Sequence, residues 1–226
     1  MEYAILKELE MIEKKCFVHQ ITSLNNVLLM KNWHKTISIL DDLIPVCIDQ
    51  RYSVFKSLIA KQINLQIYQE FKHAKRVSFY AKQLAQALSC SLCDIHIIEQ
   101  GGFVHDFGKL LIEPQLLYKK DPLSDIEWKI IQKHPQFGCE LLSLSKHFHH
   151  LIPVVEQHHE WWNGNGYPNG LKGDEILLPS RILSVVDAYD AMTCNRTYQK
   201  RIGSDAAAEE IKQFAGSQFD LSLIHI

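Results

Sequence analysis

His105 and Asp106, approached by Gly101-Gly102-Phe103-Val104 and followed by Phe107-Gly108-Lys109, set an imidazole and a carboxylate side by side. Neighbours on a helix point about 100° apart, so this pair cannot chelate one ion as an (i, i+4) pair would. It can reach toward two close ions, with the two oxygens of Asp106 as the natural bridge. Lys109 falls three residues after Asp106 and four after His105, on the same helical side. There an ammonium group would neutralise an anionic substrate. Gly108 reads as the end of the helix.

Further ligand types are spread along the chain. His73 precedes an apolar stripe, His134 stands before Pro135, His158 and His159 are adjacent, and Asp187 lies among Ile182, Leu183, Val185 and Val186. A carboxylate in such a run is costly to bury unpaired, and coordination to a cation removes that cost. His73, His105, Asp106, His134, His158, His159 and Asp187 supply five imidazoles and two carboxylates. That is too many for one ion. The set suits two divalent first-row ions sharing Asp106 and a water, iron or manganese first and zinc after them, in preference to magnesium. Two ions about 3.5–4 Å apart lower the pKa of a bridging water and clamp the oxygens of an in-line displacement at phosphorus. Phosphodiester hydrolysis is the reaction served. Each residue alone has a plainer reading: His134 as a helix cap, His158 and His159 as surface residues, Asp187 as the partner of Arg181 or Arg196.

The elements that must position these groups read as helices. Phe55, Leu58, Ile59 and Ile63 are followed by the stripe Val77, Tyr80, Ala81, Leu84, Ala85 and Leu88. The spacing predicts helices over 94–108, from Ser124 to His134, over 137–145, over 179–192 and over 205–215. Ser124 with Glu127 forms a capping box, and Ser204 and Gly216 bound the last helix. Pro135 disfavours helical geometry at His134, presenting it at a helix end. Between His158 and Gly173 the glycines, asparagines and Pro168 signal turns, and a loop this long with Trp161, Trp162 and Tyr167 reads as a functional lid. Strand signals are nearly absent, so the expected fold is all-α. Residues 1–50 read as a helical segment serving as cap, dimerisation or sensing element, residues 51–220 as the catalytic domain, and 221–226 as a tail, truncated or non-native.

Composition narrows the partners. With 226 residues and a net charge of -2, the chain buries a sizeable core but carries no electrostatic footprint for a nucleic acid polymer or anionic membrane. No apolar run reaches the roughly 18 residues a bilayer span needs, and the charged N-terminus lacks a secretory apolar region. The expectation is cytoplasmic. Six scattered cysteines suit a reducing compartment, Cys90 and Cys93 reading as two small buried side chains rather than a redox or zinc pair. His147, His149 and His150 read as solvated.

In order and spacing, His73, His105-Asp106-x-Gly108-Lys109, His134-Pro135, His158-His159-Glu160, Gly166-Tyr167-Pro168 and Asp187-x-x-Asp190-Ala191-Met192-Thr193 resemble the HD-GYP subgroup of the HD phosphohydrolases over about residues 51–220. The resemblance implies an HD-type helical bundle, here with an N-terminal helical extension. It also implies bacterial signalling and hydrolysis of cyclic di-GMP to linear pGpG or GMP. By this likeness His73, His105, Asp106 and Asp187 hold one ion, and Asp106, His134, His158 and His159 the second. Lys109 contacts the scissile phosphate. Gly166, Tyr167 and Pro168 line the guanine side, and Arg196 contacts phosphate or base. A third ion in some members uses a Glu four residues before the first His, where this chain has Gln69 with Glu70 one residue out of register, so two ions are expected. The usual Arg-Pro-Tyr is Arg196-Thr197-Tyr198. Alternatives are an HD hydrolase of another nucleotide, or a binding module without turnover. A homodimer or a signalling-protein partner is compatible with either.

Overall fold

The computed structural model describes residues 65–143, 146–194 and 201–224. The chain divides into two compact units, Met1–Gln69 and Glu70–Ile226, and the second carries the candidate ligands. The expected N-terminal segment 1–50 and Arg196 lie outside the described residues.

Helix α1 (Leu65–Ala87) presents the predicted stripe inward: Val77, Ala81 and Ala85 are fully buried, with Tyr80, Leu84 and Leu88 packed beside them. Helix α2 (Leu92–Val104) starts at Ser91, whose side chain accepts the Asp94 N–H, rather than at Asp94. Cys93 is exposed and Cys90 half-buried, against the expectation that both are inside: the cap turns Cys93 outward on the first turn. The two helices approach closely at Gly102, where a Cβ would lie 2.9 Å from the Ser78 Cα. Ser78 Oγ donates to the Glu99 carbonyl at 2.7 Å across the same contact.

Helix α2 stops at Val104, four residues short of the predicted end at 108. His105 and Asp106 therefore occupy a turn, followed by a 3-10 segment, Phe107–Leu111, and the short α3 (Pro114–Leu117). Gly108 is not a left-handed helix stop. A Cβ there would fall 1.8 Å from the His134 carbonyl oxygen and 2.5 Å from the Gly138 amide nitrogen, so glycine is what lets the two backbones touch.

Helix α4 (Asp125–Ile131) has the predicted capping box of Ser124 and Glu127, with Glu127 also paired to Lys119 at 2.8 Å. Helix α5 (His134–Ser143) begins at His134 itself. The expected helix ended there instead. Pro135 falls in the first turn, where its missing N–H costs no intrahelical bond. A 3-10 segment (Lys146–Leu151) leads into α6 (Ile152–Gln157), and His147, His149 and His150 on the connection are exposed, as expected. Helix α7 (Leu178–Thr193) buries Ile182, Leu183, Val185 and Val186 against the α1 stripe and Ile98. Helix α8 (Ser204–Gln213) adds Ile211, and the chain after it adds Phe219 and Leu223. Gly216 takes a positive φ of 76° just beyond α8, where a side chain would be strained.

Among the described residues there is no strand, only isolated bridges between Asn163 and Lys172 and between Ala215 and Phe219. The all-α expectation holds. No described helix is long and apolar enough to cross a membrane.

Candidate metal centre

Five segments converge on Asp106. His73 comes from the middle of α1, His105 and Asp106 from the turn after α2, and His134 from the first residue of α5. His158 and His159 follow α6, and Asp187 lies on α7. Gly108 and Gly138, packed backbone to backbone, bring the start of α5 beside Asp106.

The ligand atoms form two groups that share Asp106: His73 and His105 with it, and His134, His158 and His159 with it, each within 4.8 Å of one another. Oxygen Oδ2 of Asp106 faces the first group, 3.4 Å from His73 Nε2 and 3.3 Å from His105 Nε2. Oδ1 faces the second, 3.3 Å from His134 Nε2. Asp187 stands at the edge of the first group, Oδ1 lying 3.2 Å from His73 Nε2 and 3.9 Å from His105 Nε2. Arg181, the alternative partner for Asp187, is held at 2.8 Å by Asp220 instead.

Three of the rings bond to backbone carbonyls on their far side. His105 Nδ1 donates to the Gly102 carbonyl at 2.9 Å, His134 Nδ1 to Ile131 at 2.9 Å and His158 Nδ1 to Val155 at 2.6 Å. A carbonyl oxygen only accepts, so in the neutral His134 and His158 rings the proton sits on Nδ1 and Nε2 turns a bare lone pair inward. Burial pushes His134 down to about 4, drives His158 well below the usual imidazole range, and pushes His159 down to about 3. Asp106 Oδ1 is buried with no hydrogen bond. Facing lone pairs beside an orphaned carboxylate oxygen are costly by themselves, and a cation satisfies all of them. The donors fit a divalent metal.

His73 differs. Its Nδ1 meets not a carbonyl but the carboxylate of Asp190, at 2.7 Å. Asp190 is fully buried and gripped by Arg76, Nε at 2.5 Å and Nη2 at 2.9 Å. Burial opposes charge on His73, but hydrogen bonds to Asp106, Asp187 and Asp190 outweigh it and lift its pKa to about 11. Without metal this ring is an imidazolium. Carboxylates behind metal-bound histidines set ring orientation and basicity. Neither Arg76 nor the role of Asp190 was found from the sequence, although their spacings, three residues from His73 and from Asp187, place them on the same helix faces.

Lys109 Nζ donates to Asp106 Oδ2 at 2.6 Å and lies 3.6 Å from Glu70 Oε2. Burial opposes its charge, but Asp106 and Glu70 prevail and raise its pKa. The aspartate, in turn, is held well below the usual carboxylate range despite burial, by Lys109 and His105. The Tyr118 phenol, which the sequence did not single out, is pushed up to about 12 by burial and by Glu70.

The loop after His159 closes one side. Tyr167 lies on the His159 ring, centroids 4.8 Å apart and 30° between planes, and 6.5 Å from His134. Gly164, Gly170 and Gly173 have φ of 86°, 69° and 58°, as the turn chemistry of this stretch predicts. The turn after α8 braces the loop from outside, Trp162 N–H donating to Gln218 at 3.0 Å and Asn163 N–H to Ser217 at 2.9 Å.

A family model described as HD domain matches residues 57–223. Over 158 residues the chain is 34% identical to a 3'3'-cGAMP-specific phosphodiesterase of Vibrio cholerae, covering 68% of this chain and 30% of that protein. Over 148 residues it is 35% identical to a cyclic di-GMP phosphodiesterase response regulator of Xanthomonas campestris, covering 65% and 39%. The chain thus spans about a third of the length of these curated relatives. Its fold resembles that of an HDG"Y"P protein of Bdellovibrio bacteriovorus, with a TM-score of 0.59 at 19% identity over 91% of this chain and 67% of the other.

Proposed function

The chain belongs to the HD-domain family, and from that membership we propose that it is a metal-dependent phosphodiesterase opening cyclic dinucleotides, cyclic di-GMP first among them. The observation that carries this reading is the pair of ligand groups sharing Asp106, with unprotonated Nε2 atoms facing inward. Two divalent ions held there, iron or manganese by donor type, would supply an activated water and neutralise charge at phosphorus.

The remaining work belongs to the chain. His73, His105, Asp106 and Asp187 form one half of the centre, and Asp106, His134, His158 and His159 the other. Lys109, already on Asp106, offers its ammonium to a phosphate oxygen as charge builds in the transition state. Tyr167, with Gly166 and Pro168, presents a ring face for a base at the rim. Water adds to phosphorus as the ester P–O bond breaks, and the departing ribose oxygen takes a proton, giving a linear dinucleotide. Repetition at the second phosphodiester gives mononucleotide. A cytoplasmic setting, residues 51–220 as the catalytic domain and a substrate contact from Arg196 belong to the same proposal.

The names of similar proteins include cyclic GMP-AMP as well as cyclic di-GMP enzymes, so the test is a panel. Protein loaded with manganese or with ferrous iron under anaerobic conditions is offered cyclic di-GMP, 3'3'-cGAMP and cyclic di-AMP. Linear dinucleotide should form, fastest from cyclic di-GMP, and vanish in the His105→Ala, Asp106→Ala double variant. No product from any of the three, or turnover that survives the double variant, defeats the proposal.

A further inference from the structure

Glu160 directly follows two candidate ligands, yet its carboxylate turns away from them. Its side chain is 2% exposed, and each oxygen is taken by the loop: Oε1 accepts the Asn169 N–H at 2.6 Å and Oε2 the Leu171 N–H at 3.0 Å. A carboxylate that ends in two backbone amides is well satisfied and is not available to a metal. Its bonds reach forward nine and eleven residues, over the stretch containing Gly166-Tyr167-Pro168.

The same stretch is pressed down at its other end. The Tyr167 N–H donates to the His159 carbonyl at 3.1 Å. A Cβ on Gly166 would lie 2.2 Å from the Trp161 amide nitrogen and 2.5 Å from the His159 carbonyl oxygen, so the loop rests on the backbone from which Glu160 projects. Between these anchors the Tyr167 ring has little freedom to leave His159. The turn after α8 holds the outer edge through the Trp162 and Asn163 amides.

Resting on the phosphodiesterase reading, we propose that Glu160 is a positioning residue. By clamping Asn169 and Leu171 it holds Tyr167 against His159 and thereby sets the affinity for the dinucleotide without taking part in metal binding or bond cleavage. Carboxylate geometry is essential to the clamp. The amide of a glutamine keeps one acceptor oxygen, but its NH2 confronts the second loop N–H, two donors face to face.

The experiment is Glu160→Gln in the full chain, measured three ways against wild type. Metal content should be unchanged. Amide hydrogen exchange at Asn169 and Leu171 should accelerate, and KM for the best cyclic dinucleotide should rise at least about tenfold, the scale of one lost base–ring stack, with kcat within about threefold. Unchanged exchange overturns the clamp; unchanged KM, or loss of metal alongside loss of turnover, overturns its role in substrate affinity. A wild type that opens no cyclic dinucleotide defeats the phosphodiesterase reading instead, and the exchange measurement still decides whether Glu160 clamps the loop.

Discussion

His134 Nε2 and His158 Nε2 stand 3.2 Å apart, and neither has a proton to share, because both rings spend theirs on backbone carbonyls behind them. The contact is repulsive until something positive lies beside it. Together with the unbonded Oδ1 of Asp106, it gives the second half of the centre a set of lone pairs that a cation would satisfy.

The first half is tuned from behind. Asp190→Asn keeps the size of the group that meets His73 Nδ1 but removes the charge, and it unpairs Arg76. Metal affinity should fall about 10–100-fold, the usual effect of losing such a support, as read by competition with a chromogenic chelator. Unchanged affinity would show that Asp190 does no more than pair with Arg76.

Lys109 bonds to Asp106 Oδ2 without being a ligand. Lys109→Met should therefore retain metal while kcat drops by about 10²–10³, the scale of one lost transition-state donor. Metal analysis beside steady-state kinetics tests this, and loss of metal would assign the lysine to holding Asp106 in place.

Gly108→Ala places a methyl group 1.8 Å from the His134 carbonyl oxygen, a collision of backbone with side chain that no rotamer relieves. Stability should fall by about 3 kcal/mol or more, with metal binding lost as His134 moves from Asp106. Gly203→Ser is the control. Nothing lies within 4 Å of a Cβ there, and serine caps the start of α8 as well as glycine does, so denaturant unfolding should change by less than about 0.5 kcal/mol.

The metal-free protein should be most stable near pH 6.5. His134, with a folded pKa near 4, and His159, near 3, bind fewer protons folded than unfolded as pH falls below 6.5, so stability declines toward acid. His73, lifted to about 11, works in the opposite sense: its contribution is complete below pH 6.5 and is lost progressively as pH rises toward 11. Each histidine adds a slope of up to about 1.4 kcal/mol per pH unit within its window. Urea unfolding of chelated protein at pH 5, 6.5 and 8.5 checks both limbs. Metal loading, which needs an unprotonated His73 Nε2, should abolish the decline above pH 6.5.

Much of this centre was legible in the chain because ligand type and order carry it. His73, His105, Asp106, His134, His158 and His159 converge as expected, and so does the apolar stripe of α1 that carries His73. What was misread depends on contacts that sequence separation hides. Gly108 looked like a helix stop because a close approach to His134, 26 residues on, leaves no local sign. His134 was expected at the end of one helix and opens another, since Pro135 serves equally at a boundary or in a first turn. Asp190 and Arg76 are 114 residues apart, and an acid on a helix face does not reveal which base it will meet. Glu160 sat in plain view within His158-His159-Glu160, but its direction, away from its neighbours, is a property of the folded loop.

Metal stoichiometry tests the central claim most directly. Wild-type protein purified with manganese or ferrous iron, then freed of loose metal, should retain two ions per chain, as a two-metal phosphodiesterase centre requires, whereas Asp106→Ala, lacking the shared carboxylate, should retain fewer than one. A wild type that never holds more than a trace, or an Asp106→Ala variant that holds as much as wild type, would contradict it.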